Sequence, residues 1–330
     1  MGGGPGTLSW QNVLLQVIHV GGTVAVDVFV FISGYYCKEH GSINWKRIIN
    51  LVLEMYFYSV AIYFLLVAFE TIDFSVKGCI KAFLPTVYGN WFCVYYLLLC
   101  MVEPFLVMFA EKLEKEKLAM FIFVLLFLDC VIPTFFHALM LGNFTKFITM
   151  FFIGYALKRF TIKRKAMDRG GILSFIAMII LIIAQDYLGT RFNRPQLMEI
   201  GTYFDKNESI FVVAIAVCLF LIFSNKAFYS GLINYIAKSV IGIYLIHDNE
   251  NIRNLIWHKW WDNTLYYNSP VLMLHILSKT CIVFAVCLLI DIIRRSTLEK
   301  VAQHITDRLY SSISILWNRA VGRMAELVEK

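Results

Sequence analysis

Residues 26–36 read Val-Asp-Val-Phe-Val-Phe-Ile-Ser-Gly-Tyr-Tyr. A carboxylate, Asp27, and a Ser33-Gly34 step sit inside a long apolar run. Placing a carboxylate in a hydrocarbon-spanning helix costs at least ~2.5–3.5 kcal/mol on insertion scales. Asp27 is therefore either a functional group or one half of a contact that pairs two helices.

The rest of the chain is equally apolar. Its 330 residues are 59% hydrophobic and 16% charged, with a mean hydropathy of +0.67. Soluble domains carry about 45–50% apolar and about 25% charged residues. The fold class is an all-α polytopic membrane protein, with the bilayer-embedded bundle as its core. The net charge of +7 comes with no basic stripe interleaved with aromatics, which argues against nucleic acid as a partner. Eight cysteines form no CxxC pair and mostly lie in apolar spans, so zinc and redox motifs are not supported and no metal is assigned. The first twelve residues lack the charged region and apolar core of a signal peptide.

A span needs ~20 mostly apolar residues. Nine fit: 17–37, 48–68, 91–109, 118–136, 144–158, 171–188, 209–224, 240–258 and 270–293. Lys and Arg sort the connections into two sets, with 21 on one side and 7 on the other. Basic residues favour the cytoplasmic face. That face then holds the 158–169 loop and the segment 294–330, giving a multi-pass protein of the plasma membrane with a cytoplasmic C-terminus. Two domains follow: a transmembrane domain over 1–293 and an amphipathic tail over 294–330. In the tail, Leu298, Val301, Ile305, Leu309, Ile313 and Leu316 recur at helical spacing. The tail either lies on the membrane surface, the favoured placement, or packs on a cytoplasmic face of the bundle. The same charge rule puts the N-terminus outside, which predicts a preceding helix.

Several polar groups fall at membrane depth. Measured from the cytoplasmic ends, Glu54 lies about 9 Å in, Glu103 about 10 Å, His247 about 12 Å, Asp27 about 15 Å and Asp129 about 18 Å. One layer of this kind predicts a cavity open to the cytoplasmic half. Lys279 lies deeper and needs a carboxylate partner, Asp27 or Asp129. Residues 244–253, Tyr-Leu-Ile-His-Asp-Asn-Glu-Asn-Ile-Arg, are the richest stretch. Either the helix is continuous there, or it stops at His247 and an outer loop follows. With an unperturbed pKa of ~6.5, His247 is the best acid/base candidate, set against a structural hydrogen bond inside the bundle. Asn249 and Arg253, four apart, share a helical face.

Four of these segments resemble, in order, those of the acyltransferase-3 family of multi-span O-acyltransferases. They are residues 22–36 (GTVAVDVFVFISGYY), Asn90-Trp91-Phe92 through Tyr95 to Pro104-Phe105-Leu106, Phe151-Phe152-Ile153-Gly154-Tyr155, and residues 239–249 (SVIGIYLIHDN). The last is similar to the polysaccharide O-acetyltransferase branch of Gram-positive bacteria. The resemblance implies about ten helices and transfer of an acyl group, usually acetyl from acetyl-CoA, to a hydroxyl of a cell-surface glycan or lipid-linked sugar. Acyl-CoA is then a co-substrate, with no permanently bound cofactor. In that frame His247 and Asp27 are catalytic candidates. Ser33, Gly34, Trp91, Tyr95, Asn249 and Arg253 are substrate-binding candidates, and Lys46 and Arg47 attract the donor's phosphates. Family members carry an additional first helix with an Arg and the essential His. This chain opens where the second helix would be, so it is expected to be a truncated or inactive copy. Alternative readings are a glycan or lipid-intermediate transporter and a non-catalytic partner in polysaccharide assembly.

Overall fold

A computed structural model describes residues 9–38, 42–136, 141–160, 164–224, 226, 229–261 and 263–328. In chain order the helices are α1 (Trp10–Tyr35), α2 (Trp45–Ala68), α3 (Val76–Phe83), α4 (Pro85–Tyr88), α5 (Trp91–Lys112), α6 (Lys115–Leu126) and α7 (Ile132–Phe136). They continue with α8 (Asn143–Arg159), α9 (Arg164–Arg191), α10 (Ile210–Ser224), α11 (Gly231–Ala237), α12 (Val240–His247), α13 (Glu250–Asn254) and α14 (Leu272–Val328). Among the described residues there is no strand. The chain is an all-α polytopic membrane protein.

Six helical stretches are long and apolar enough to cross a membrane: Trp10–Tyr35, Trp45–Ala68, Trp91–Lys112, Lys115–Phe136, Arg169–Arg191 and Leu272–Arg323. They correspond to six of the nine expected spans. The fifth and seventh form helices of 17 and 15 residues, α8 and α10. The eighth is broken between His247 and Glu250. The first helix starts earlier than its hydropathy predicts, because Ser9 caps it by accepting from the Asn12 amide at 3.2 Å. Its polar first turns are then buried by partners: Asn12 and Gln16 both donate to the Asp186 carboxylate at 2.9 Å.

The chain divides into two compact units. The first comprises Met1–Gly41, Val102–Tyr229 and Tyr267–Leu272. Its centre is the contact of α1 with α8, which run parallel. A Cβ on Gly34 would lie 2.1 Å from the Phe151 carbonyl oxygen, and one on Gly154 would lie 2.3 Å from that of Phe31. Only two glycines let the backbones approach this closely, the device by which small residues pack membrane helices. Toward the helices' N-terminal ends Asp27 pairs with Lys146 at 2.7 Å, 0% and 2% exposed respectively. Lys146 also donates to the side-chain and backbone oxygens of Asn207. Toward their C-terminal ends Lys158 reaches the Cys37 carbonyl at 3.5 Å, and Arg159 donates to the Ala110 carbonyl at 2.8 Å. Basic side chains here satisfy carbonyls at helix ends. Asp129 stands on a π-turn, Phe127–Val131, and accepts from Thr149.

The connection between α9 and α10 is anchored in the same unit. Asp205 takes the Gly201 amide at 2.7 Å and pairs with His19 at 3.4 Å. Lys206 donates to the Pro133 carbonyl at 2.5 Å. Burial pulls the Lys206 ammonium below the usual lysine range, with Glu208 opposing.

The second unit comprises Ser42–Met101, Ser230–Tyr266 and Met273–Lys330. Helix α14 runs unbroken for 57 residues, about 85 Å at helical rise, straight through the boundary expected at 293. Its C-terminal half packs on the start of α2. Lys46 pairs with Asp307 at 2.7 Å, Thr306 donates to Asn50, and the Trp45 and Trp317 rings meet at 5.4 Å. These contacts are those of the tail's other expected placement, packed on the bundle.

Candidate active site

The second unit contains a cavity of about 620 Å³. One face of α2 lines it, with Met55, Tyr58, Ser59 and Tyr63 at helical spacing. The segment after α2 folds back to form the next wall. Tyr63 organises that fold: its hydroxyl donates to the Ser75 carbonyl at 2.8 Å and accepts from the Ser75 amide at 3.0 Å. Ser75 then caps α3 through Gly78, whose lack of a side chain is needed because a Cβ there would lie 2.7 Å from the Tyr63 ring. Trp91, at the start of α5, and Asn90 before it complete this side.

The opposite wall is the break between α12 and α13. Asn249 makes the break by capping α13, its side chain accepting from the Asn251 amide at 3.1 Å. Asp248, left outside both helices, accepts from Asn90 at 3.0 Å and from Arg253 at 3.3 Å. The Asn90 contact ties the two walls together, and Lys81 with Glu250 at 3.9 Å adds a looser tie. The cavity opens beside the exposed residues Asp73 and Lys77 and reaches inward to Met55 and Tyr58. It therefore opens at the C-terminal end of α2.

A buried polar network lies behind Tyr58. The Tyr58 hydroxyl donates to Asp291 Oδ1 at 2.7 Å. Arg294 donates to the same oxygen at 2.8 Å, to the Tyr58 hydroxyl at 3.1 Å and to Glu54 at 2.9 Å. Asp291 is fully buried and lies against Gly242 of α12, where a Cβ would come 2.2 Å from Oδ1. Of this group only Glu54 stands out in the sequence. Asp291 and Arg294 sit three apart at the end of the ninth predicted span, and that i,i+3 acid–base spacing was the available signal.

The predicted site residues separate into the two units. Asp27, Ser33 and Gly34 belong to the first. Asp27, one of two carboxylates expected as a partner for Lys279, pairs with Lys146. Lys279 instead lies over the Trp261 and Tyr266 rings at 6.0 and 5.6 Å. Gly34, expected at the substrate, lies in the α8 crossing. Ser33, one position before it, is also buried.

Trp91, Asn249 and Arg253 do line the cavity together. Tyr95 stands one turn along α5 from Trp91, with its ring 6.4 Å away. His247 ends α12 beside the cavity-lining Asp248, and its Nδ1 lies 2.7 Å from the Ile243 carbonyl oxygen. A carbonyl only accepts, so Nδ1 carries the proton and neutral His247 has its basic lone pair on Nε2. Lys46 and Arg47, predicted to draw in donor phosphates, have partners within the chain: Asp307 for Lys46, and the Tyr96 hydroxyl and ring for Arg47. The basic 158–169 loop lies partly outside the described residues.

Residues 1–292 match the family model of the acyltransferase-3 family, described as an acyltransferase domain. No curated protein and no solved structure matches the chain. The chain belongs to the acyltransferase-3 family and is a membrane acyltransferase.

Proposed function

We propose that this protein transfers an acyl group, acetyl in the first instance, from acyl-CoA to a hydroxyl of a cell-surface glycan or lipid-linked sugar. The cavity of the second unit is the acceptor site. The observation that carries this reading is its lining: Trp91 and the hydrogen-bonded Asn90–Asp248–Arg253 cluster line one cavity of about 620 Å³. Aromatic faces with a few convergent planar polar groups are what an uncharged, hydroxyl-rich ligand requires. The Lys and Arg distribution supports a plasma-membrane protein with a cytoplasmic C-terminus, which puts this opening at the outer face. The segment 239–249 supports the Gram-positive polysaccharide O-acetyltransferase branch.

In the transfer, the acceptor oxygen bonds to the acyl carbon and the carbon–sulfur bond breaks. The hydroxyl proton ends on the CoA thiol. His247 Nε2 is suited to hold that proton in passing, because Nδ1 is already committed as a donor. Asp248 positions Asn90 and Arg253 around the acceptor.

The test is O-acyl ester content of the surface glycan in cells lacking the gene, before and after complementation with its full reading frame. Restored ester supports the reading. Unchanged ester with restored polymer export refutes it in favour of transport.

A further inference from the structure

Tyr58 belongs both to the cavity wall and to the buried network behind it. A hydroxyl has one hydrogen to donate and two lone pairs to accept with. The Tyr58 hydrogen is used by Asp291 Oδ1 at 2.7 Å, and one lone pair takes the longer branch, 3.1 Å, of a bifurcated Arg294 Nε–H whose shorter branch goes to Asp291 Oδ1 at 2.8 Å. What remains is one lone pair. The network locks this arrangement from behind. Asp291 is fully buried and Arg294 is held at its far side by Glu54 at 2.9 Å. Gly242 lets α12 close directly on Asp291. Turning the Tyr58 hydroxyl round to donate into the cavity would take one of two donors from Asp291 Oδ1, on a buried carboxylate whose Oδ2 has no hydrogen-bond partner, which is costly.

We propose that Tyr58 is a specificity residue of the acceptor cavity, its hydroxyl held by Asp291 and Arg294 as a hydrogen-bond acceptor that selects a free hydroxyl on the ligand. This rests on the cavity being the acceptor site. An O–H satisfies the remaining lone pair, whereas an ester or ether oxygen presents a second acceptor against it. The cavity therefore favours unacylated sugar over sugar already acylated at that position, and product leaves because it no longer fits the polarity of the wall. Asp291 and Arg294 act through Tyr58 and are positioning residues.

The experiment uses the full chain in lipid nanodiscs and glycan oligosaccharides cut from cells lacking the gene, either native or O-methylated. Equilibrium binding is measured without donor, and transfer kinetics are measured with acetyl-CoA. Wild type is expected to bind native fragments at least about ten-fold tighter than methylated ones. In Tyr58→Phe that ratio falls at least about five-fold, the size of one lost net hydrogen bond. Acceptor KM rises while kcat stays within about two-fold, and the unfolding temperature falls because buried Asp291 loses a donor, with monodisperse elution showing that the variant is folded. A Tyr58→Phe protein that keeps the full binding ratio overturns the role of Tyr58 while leaving the acceptor site standing. Fragments that do not bind wild type at all overturn both.

Discussion

Gly34 and Gly154 face each other's helices at a single crossing, each with its Cα against a carbonyl oxygen of the partner, Phe151 for Gly34 and Phe31 for Gly154. A methyl on either would sit 2.1–2.3 Å from that oxygen, a distance no rotamer change relieves because both contacts are backbone. Gly34→Ala and Gly154→Ala are each expected to cost at least the ~1–3 kcal/mol typical of overpacking. The measurement is the unfolding temperature and the monodisperse yield in detergent. An alanine variant at either site that melts with wild type would mean the two helices do not cross here.

The Asp27–Lys146 pair gives a second, sharper expectation. Removing one partner of a buried ion pair leaves an uncompensated charge and costs about 3–5 kcal/mol, whereas replacing both with apolar residues is often nearly neutral. Lys146→Met should therefore destabilise strongly, and Asp27→Leu combined with Lys146→Met should recover most of the loss. If Asp27 served the chemistry itself, the double variant would fold but transfer nothing. Retained transfer in that double variant is the outcome expected for a structural pair.

These two contacts show what the sequence makes legible. Both elements of the crossing were visible as motifs, the Ser33-Gly34 step and the Phe-Ile-Gly step at 152–154. Their meeting was not, because hydropathy places a helix in the membrane without saying which helix it touches. Asp27 reads as costly and as one of two candidate partners for Lys279, whereas Lys146 sits near the edge of an apolar run and reads there as a topology signal. The cavity was hidden for a different reason. Its walls come from 55–63, 72–91 and 245–253, and the break that forms one wall depends on Asn249 choosing to cap a new helix. A capping asparagine and a mid-helix asparagine look alike in sequence.

Lys46 offers a test of the donor side. Its ammonium pairs with Asp307 and lies 5.2 Å from the Tyr310 ring, on an exposed surface. A group attracting CoA phosphates would raise donor KM when neutralised and make it strongly salt-dependent. A group that tethers the α14 tail would not. Lys46→Ala is expected to leave acetyl-CoA KM within about two-fold across salt concentrations while loosening residues 300–317, read as faster amide exchange there. A several-fold, salt-sensitive rise in donor KM would restore Lys46 to the donor site.

Asp248 is the residue on which the cavity wall depends. It alone receives both Asn90, from the segment before α5, and Arg253, from α13. Its own side chain is about one-fifth exposed and that of Arg253 about half, so solvent screens the ion pair and the main consequence of losing Asp248 is geometric. Asp248→Ala frees two hydrogen-bonding side chains at once. Acceptor KM should rise about ten-fold or more, in line with groups worth ~1–3 kcal/mol when left unpaired, with a small change in unfolding temperature. Asp248→Asn keeps an oxygen for Asn90 but loses the charge for Arg253. It is expected to fall between wild type and alanine, and Arg253→Lys, which keeps charge but not the planar fork, should resemble it. If Asp248→Ala instead lowers kcat with acceptor KM unchanged, the carboxylate acts on the reacting atoms themselves and the wall-holding role is wrong.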